Sequence, residues 1–513
     1  MSQKFYISTP IYYPSGKPHI GHAYSTIIAD VLAKYKKMFG YETFFVTGTD
    51  EHGQKIQIKA QENNISEQIY VDQMQQKFVD LWTRLGINYD RFIRTTDEDH
   101  IASVQKIFTK LYDKNKIYLG QWIGNYCVSC EENINDADVQ FNTNNQKTCS
   151  FGHILEQKSE SSYFYKMQES APFLIDYYQK HPNFIIPKER VNELINNFVQ
   201  NLSDLSISRT TFNWGISIKE NPEHVIYVWL DALMNYLTAT GYMTTDDRLF
   251  QKFWQDDKTE IVHLLSKEIT RFHCIYWPIF LNDLGIRLPS TILSHGWIIT
   301  KEGKMSKSLG NVVDPNDLID RFGADVTRYY LLADLSMFKD SVFSYDNLIE
   351  TYNTHLANNF GNMVSRTIGM LKKYHQNQVI YIKINDEQQA VLNTFIDQFI
   401  SFINQYQVDK ALSVLQDLLN YANKYIEEQK PWELFKNNET QLLQHLLFFL
   451  VKVIQICTIL YKPVLQNAVV DVQKQMGFTD EMLTFKNLKT SEVLKGFSVN
   501  TASPIFTRII IEK

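Results

Sequence analysis

Two short stretches combine hydrogen-bond donors in a way that suits phosphate chemistry. The first is Tyr13-Pro14-Ser15-Gly16-Lys17-Pro18-His19-Ile20-Gly21-His22, a turn that opens a helix. A helix start presents unsatisfied N–H groups and the positive end of the helix dipole to an anion. His19 and His22 add side-chain donors on that first turn, and Gly21 leaves space for a flat base to lie against the backbone. The second stretch is Lys301-Glu302-Gly303-Lys304-Met305-Ser306-Lys307-Ser308-Leu309-Gly310-Asn311. Its lysines Lys304 and Lys307 are point-charge partners for a polyphosphate. Neither stretch has the glycine spacing of a Walker loop or a dinucleotide fingerprint. Alone, each reads as an ordinary solvated turn. A third group, Cys127-x2-Cys130 followed by Cys149-x3-His153, has residue types that suit tetrahedral zinc.

These residues need elements to hold them. Lys4–Ser8 is a strand candidate. Apolar Ile27, Ile28, Val31, Leu32, Tyr35 and Met38 recur at helical spacing, and Gly40 supplies a stop. Glu42–Thr47 is the next strand. Strand, helix, strand begins a βαβ unit and implies a parallel sheet. A further strand and helix are expected at Glu260–Leu264 and Ile269–Leu281, with another strand at Thr291–Ser294. Between these halves, residues 118–157 are polar, rich in Asn and carry the clustered cysteines, which suggests an inserted subdomain. Beyond about Ser344 the pattern turns almost purely helical, with helices at Asp386–Ile403, Val408–Glu428 and Gln441–Tyr461.

Composition excludes several classes. A chain of 513 residues with 44% hydrophobic and 21% charged residues is neither disordered nor collagenous. The net charge of -6 excludes a general basic coat for nucleic acid, though not a local patch. The stretch after residue 340 holds 16 basic and 16 acidic residues, so it too has no basic excess. No signal-like apolar segment opens the chain, and Lys452 and Gln455 interrupt the most apolar run, Leu446–Tyr461. That run is expected to be a buried bundle helix. The odd count of five cysteines fits a reducing cytoplasm better than a disulfide framework. Cys274 and Cys457 are expected to be inert core residues.

Taken in order, His-Ile-Gly-His after the first strand and Lys-Met-Ser-Lys-Ser far downstream resemble the class I aminoacyl-tRNA synthetases. Within them, Ser8-Thr9-Pro10-Ile11-Tyr12-Tyr13, Thr47-Gly48-Thr49-Asp50-Glu51-His52-Gly53, Asp204-Leu205-Ser206-Ile207-Ser208-Arg209 and Tyr227-Val228-Trp229-Leu230-Asp231-Ala232-Leu233 resemble the bacterial and organellar methionyl-tRNA synthetases, from Phe5 to about Trp432. The resemblance implies an α/β Rossmann-type parallel-sheet catalytic domain, interrupted by an inserted α+β subdomain and followed by an all-α anticodon-binding bundle. The boundaries expected are 1–115 and 223–345 for the catalytic halves, 116–222 for the insertion and 346–513 for the bundle. It implies ATP with Mg²⁺, L-methionine and both elongator and initiator tRNA(Met) as partners, a monomer, and no membrane.

Residue by residue, the resemblance assigns Ile11, Tyr13, Trp229, Ala232, Leu233, Tyr236, Ile269 and His273 to a methionine pocket, with Asp50 holding the α-amino group. A thioether packs well against aromatic edges, and a buried ammonium needs a counter-charge. His19, Gly21, His22, Lys267, His295, Gly296, Trp297, Lys304 and Lys307 are assigned to ATP, with His19, His22, Lys304 and Lys307 catalytic. Asn362, Arg366 and Trp432 are anticodon candidates. Cys127, Cys130 and Cys149 are implied zinc ligands. The family's second pair usually has two intervening residues, and here Ser150-Phe151-Gly152 are three, which leaves the fourth ligand open between His153 and an acidic side chain such as Glu156. A metal-free remnant of the knuckle is the alternative. Rival readings are weaker. The isoleucine, valine and leucine enzymes need a large editing insertion, and the cysteine enzyme does not suit the Trp229 run. Small nucleotidyltransferases lack a long helical domain, and a dead paralogue does not explain the intact motifs.

Overall fold

The computed structural model describes residues 3–130, 132–134, 136–301, 303–304 and 311–510. Lys307 lies outside them, and of Lys304 only the backbone is described. The elements that bear on function are, in chain order, β1 (Lys4–Tyr12), α1 (Ile20–Met38), β2 (Glu42–Thr49), β3 (Arg91–Arg94), α2 (Glu98–Asp113), β4 (Ile117–Cys127), β5 (Glu132–Ile134), β6 (Glu156–Tyr165), β7 (Ile185–Ile186), β8 (Leu205–Ser206), α3 (Val228–Thr238), β9 (Thr259–Ser266), α4 (Trp277–Leu284) and β10 (Thr291–His295). Helices α5 (Ala324–Ala333), α6 (Asn362–His375), α7 (Asp386–Asn404), α8 (Val408–Gln429), α9 (Pro431–Lys436) and α10 (Thr440–Tyr461) follow.

The chain forms two compact units. One comprises Met1–Pro18, Tyr41–Thr83 and Asn88–His295, and the other His19–Gly40, Arg84–Ile87 and Gly296–Lys513. The first unit is built on a six-stranded sheet in the order β3-β2-β1-β9-β10-β7. Every pairing in it is parallel. Phe5, Tyr6 and Ile7 of β1, Ile261, Val262, Leu264 and Leu265 of β9, and Ile292 and Leu293 of β10 are fully buried. Continuous apolar strands of this kind mark a sheet covered on both faces. Strand order reverses between β1 and β9, and in such sheets ligands bind outside the carboxyl ends of the strands at that reversal. Tyr13, Asp50 and Lys267 directly follow β1, β2 and β9 at those ends, and His295 closes β10.

The insertion is a four-stranded antiparallel sheet in the order β8-β6-β4-β5. The helix expected at Ile269–Leu281 is broken. A tight turn over Lys267–Ile269 leads into a π-helical stretch, Phe272–Tyr276, before α4 begins at Trp277. Pro278 is the cause. It has no N–H for the carbonyl of Cys274 four residues earlier and crowds it. The wider turn relieves the clash, and the Tyr178 hydroxyl donates to that carbonyl instead.

In the second unit α1 ends at a Phe39 cap, with Gly40 at φ 92° as the expected stop. Helices α7, α8 and α10 fall within a residue of their expected bounds. The region is not purely helical, however. Gln378–Val379 pairs with Phe497–Ser498, and the irregular tail returns to Asn353, whose side chain exchanges two 2.9 Å bonds with the Ile509 backbone. Among the described residues α10 is the one helix long and apolar enough to cross a membrane, and 83% of its apolar window is buried within the protein. Its Lys452 donates to Gln455 Oε1 at 2.8 Å and to the carbonyls of Asn487 and Thr490. Burial brings that ammonium down to about 7.

Candidate active site

In the first unit the expected pocket residues come from β1 and the residue after it, from α3, and from the stretch between β9 and α4. Helix α3 presents Trp229, Ala232, Leu233 and Tyr236 on one face, at the spacing of helical neighbours. Ile11, Leu233, Tyr236 and Ile269 belong to one apolar cluster. Tyr13 packs in a different one, with Ile56, Tyr70 and Trp214. Trp229 lies flat on Phe272, ring centroids 3.5 Å apart. His273 contacts the Ile269 carbonyl through Nδ1 at 3.0 Å and the Tyr236 hydroxyl through Nε2 at 2.7 Å. A carbonyl only accepts, so the proton sits on Nδ1 and Nε2 accepts from Tyr236. Burial lowers His273 to about 4, which keeps the ring neutral. The π-helical stretch thus sets both Phe272 and His273, a recurrent use of such bulges at functional sites.

Asp50 is 8% exposed, and its N–H donates to the Tyr12 carbonyl at 3.0 Å. That bond ties the carboxylate to the segment between Ile11 and Tyr13. Its neighbour Glu51 is fully buried and held by Thr49, Arg94, Thr96 and the Thr95 hydroxyl. Lys267 and His295 sit at the ends of adjacent strands, with Ser266 and His295 in register.

In the second unit His19 caps α1. Its Nδ1 accepts from the Gly21 N–H at 3.1 Å, and His22 Nδ1 accepts from the His19 N–H at 3.0 Å. This is a reciprocal capping box built from two imidazoles. With both Nδ1 atoms accepting, a neutral ring carries its proton at Nε2, the arrangement a phosphate oxygen requires. The rings lie 3.8 Å apart. A Cβ on Gly21 would press on the His19 ring at 2.9 Å, so glycine there serves the capping box itself. Gly296 has a packing reason as well, since a Cβ would lie 2.2 Å from the Lys339 carbonyl oxygen. The Trp297 N–H donates to Asp340 at 3.0 Å.

The knuckle residues converge. The ligand atoms of Cys127, Cys130, Cys149 and His153 all lie within 4.8 Å of one another. Cys130 Sγ is 3.8 Å from Cys149 Sγ, and His153 Nδ1 is 3.3 Å from Cys130 Sγ and 3.4 Å from Cys149 Sγ. A tetrahedral site with Zn–S near 2.3 Å and Zn–N near 2.0 Å has edges of about 3.8 and 3.6 Å, so the four donors fit zinc. The extra residue between Cys149 and His153 is taken up by a turn. The Gly152 N–H closes on the Cys149 carbonyl at 2.8 Å, and Gly152 adopts φ 80°, a left-handed conformation that favours glycine. His153 is therefore the fourth member, and Glu156 is exposed on β6. Hydrogen bonding from Cys130 brings the Cys127 thiol down to about 5. Cys274 and Cys457 are fully buried, and burial raises both thiols.

Comparison with known proteins adds sequence-wide matches. Residues 5–368 match the model of "tRNA synthetases class I (M)", and residues 381–513 match "Anticodon binding domain of methionyl tRNA ligase". A methionine–tRNA ligase of Ureaplasma parvum is 62% identical over 516 residues, covering 100% of this chain and 99% of that protein. The chain belongs to the methionine–tRNA ligases. The ligase of Mycoplasma genitalium is 44% identical, covering 99% of this chain and 100% of that protein. The Mycobacterium tuberculosis methionyl-tRNA synthetase solved with methionyl-adenylate superposes with a TM-score of 0.93 at 33% identity, covering 99% of this chain and 100% of that one.

Of the anticodon candidates Asn362 and Trp432 are exposed and Arg366 is half-buried. Asn362 and Arg366 are one turn apart on α6, and Arg366 pairs with Glu427 of α8 at 2.9 Å. Both precede residue 381, so they fall in the stretch matched by the ligase's synthetase model. Trp432 is 47% exposed on α9. That helix starts with Pro431 after a left-handed Lys430. Sequence reading missed one group. His52, His100 and Asp231 form a buried chain in the first unit. Two of the three lie inside the motifs that carried the resemblance, but His100 sits in no motif.

Proposed function

We propose that the chain activates L-methionine with ATP and transfers it to tRNA, acting as a methionine–tRNA ligase. The observation that carries this reading is the carboxyl edge of the parallel sheet. It sets Tyr13, Asp50 and Lys267 at the ends of β1, β2 and β9, beside the strand-order reversal where such folds bind nucleotides.

In the first step a methionine carboxylate oxygen attacks the α-phosphorus of ATP. The bond to the β-phosphate oxygen breaks, pyrophosphate leaves and methionyl-adenylate forms. No protein nucleophile takes part, so catalysis is alignment and charge stabilisation. Asp50 holds the ammonium, and Ile11, Tyr13, Trp229, Ala232, Leu233, Tyr236, Ile269 and His273 enclose the thioether. The neutral His273 and its bond to Tyr236 keep charge out of that apolar space. His19 and His22 donate from Nε2 to the phosphates at the start of α1, and Gly21 keeps their box closed. Lys304 and Lys307 meet the departing pyrophosphate, Lys267 serves the nucleotide, and His295, Gly296 and Trp297 face the adenine. Mg²⁺ bound with ATP would neutralise phosphate charge. In the second step the terminal ribose hydroxyl of tRNA attacks the adenylate carbonyl, and AMP leaves.

Cys127, Cys130, Cys149 and His153 would hold a structural zinc that ties together the two ends of the segment 127–153. The catalytic halves are 1–115 and 223–345, the insertion 116–222 and the anticodon domain 346–513. Asn362, Arg366 and Trp432 read the anticodon loop of elongator and initiator tRNA(Met), with Trp432 stacking on an unpaired base. The protein acts as a cytoplasmic monomer. Lys307→Ala tests the central assignment. It lowers methionine-dependent ATP–pyrophosphate exchange far more than methionine binding, and unchanged exchange would refute the role.

A further inference from the structure

The loop that carries Asp50 is anchored by a chain of groups that touch neither nucleotide nor thioether in the reading above. His52, two residues beyond Asp50, meets Asp231 Oδ2 through Nδ1 at 2.7 Å. His100 of α2 meets the other oxygen, Oδ1, through Nε2 at 2.8 Å. Asp231 and His100 are fully buried, and the His52 side chain is 6% exposed. A buried carboxylate costs free energy unless its oxygens are satisfied. Burial alone would raise Asp231, yet the two histidines hold it below the ordinary carboxylate value. An ionised carboxylate only accepts, so both imidazoles present an N–H to it. The far nitrogen of His100, Nδ1, lies 2.7 Å from the Thr238 hydroxyl, seven residues beyond Asp231 on α3.

The helix geometry gives this chain its meaning. Trp229, Ala232, Leu233 and Tyr236 recur at spacings of three and four and share one face of α3, while Asp231 lies two residues from Trp229 and so on the opposite face. The pocket face and the anchoring face therefore belong to one rigid element. The same loop is gripped from a second side by Trp214. Its Nε1 donates to the Glu51 carbonyl at 2.6 Å, its carbonyl accepts from the Gly53 N–H at 3.0 Å, and its ring stands edge-on to His52 at 5.6 Å. Asp50 thus directly precedes three residues, Glu51 to Gly53, whose positions are set by Trp214 and Asp231.

We propose that Asp231 is a positioning residue for methionine binding: through His52 it locks the loop bearing Asp50 to the rear of the helix whose front lines the pocket. The proposal rests on the reading of Asp50 as partner of the substrate ammonium. Charge-assisted hydrogen bonds are short and directional, so a loop released from α3 weakens the ammonium contact while the thioether pocket stays intact.

The test uses the full chain and two inhibitors that divide the substrate. L-methioninol keeps the ammonium and lacks the carboxylate; 4-(methylthio)butanoate keeps the carboxylate and lacks the ammonium. Asp231→Asn is expected to raise the KM for methionine and the Ki of methioninol by about tenfold or more, the scale of a small misplacement in a binding site. The KM for ATP and the Ki of 4-(methylthio)butanoate stay within about twofold, because neither ligand meets Asp50. His52→Asn keeps an N–H near the position of Nδ1 and recovers most of what His52→Ala loses, and this pair decides the matter if Asp231→Asn fails to fold. Equal weakening of both inhibitors, a fall in kcat at unchanged methionine KM, or His52→Asn behaving as His52→Ala would overturn the proposal. Asp50→Asn is the control. If it leaves methioninol binding unchanged, the ammonium reading itself is wrong; if it weakens methioninol and Asp231→Asn does not, only the positioning role fails.

Discussion

Arg328 is fully buried on α5, and its guanidinium is the hub of the second unit. It donates to Asp30 of α1 at 2.6 Å, to the Leu85 carbonyl at 3.1 Å, and to the carbonyls of Pro463 and Val464 beyond α10 at 2.7 and 3.2 Å. Arg328→Met keeps the length and removes all four donors. Removing one partner of a buried ion pair costs about 3–5 kcal/mol. Lys34 stays 2.8 Å from Asp30 and offsets part of that, while three carbonyls lose their donor at about 1 kcal/mol each. With about half of the ion-pair cost offset by Lys34, the sum is a loss of about 5 kcal/mol. For a unit of roughly 150–250 residues that corresponds to a fall of about 10–20 °C in the unfolding midpoint. The assay is thermal unfolding followed at 222 nm, where the helical unit dominates. Arg328→Lys keeps the charge but not the planar fork, so it falls between the wild type and Arg328→Met. A change below about 3 °C for Arg328→Met would refute the argument, since it would mean the four acceptors are satisfied without the guanidinium.

Three further outcomes are expected. Burial brings Lys34 from the ordinary 10.5 to about 8, against the pull of Asp30 and with the push of Arg328. The unfolded chain then binds more protons than the folded one between about pH 8 and 10.5, so the second unit gains up to about 3 kcal/mol as pH rises through that window and bears the full cost below it. The midpoint difference between wild type and Lys34→Met should narrow or reverse across those pH values, and a flat difference would exclude the shift. Purified protein should hold one zinc per chain by elemental analysis, and His153→Ala should release it to a chelator that leaves the wild type loaded; zinc well below one per chain would rule the centre out. Trp432→Ala should lower aminoacylation while leaving pyrophosphate exchange intact, and a parallel fall in both would remove Trp432 from anticodon reading.

Much of the architecture was legible in the sequence because buried strands and amphipathic helices leave a periodic trace. Strands β1, β2, β9 and β10 and helices α7, α8 and α10 each announce themselves through apolar spacing. What failed was local and had a local cause. The break before α4 follows from a single proline, Pro278, whose missing N–H is made good by Tyr178 almost a hundred residues away. Periodicity carries no information about such a distant donor. The short pairing of Gln378–Val379 with Phe497–Ser498 escaped for the same reason, as two-residue strands are too brief to show alternation.

The candidate site divides along a similar line. His19 and His22 stand out only when read with the downstream Lys-Met-Ser-Lys-Ser, since each stretch alone reads as an ordinary solvated turn, whereas the Cys-x2-Cys pair stands out by its spacing. His153 could not be assigned from spacing, because its fitness depends on a left-handed Gly152 that shortens the path of a loop one residue too long. The clamp on the Asp50 loop was less visible still. Asp231 on a mostly apolar helix reads as the residue that faces solvent, and His100 on an amphipathic helix reads as a solvated or half-buried polar group. Their burial makes sense only as a set, since each histidine satisfies one oxygen of a carboxylate that neither could satisfy alone. A buried polar set is costly to assemble and fails if one member is lost. That cost is concentrated behind Asp50, the residue proposed to meet the substrate ammonium.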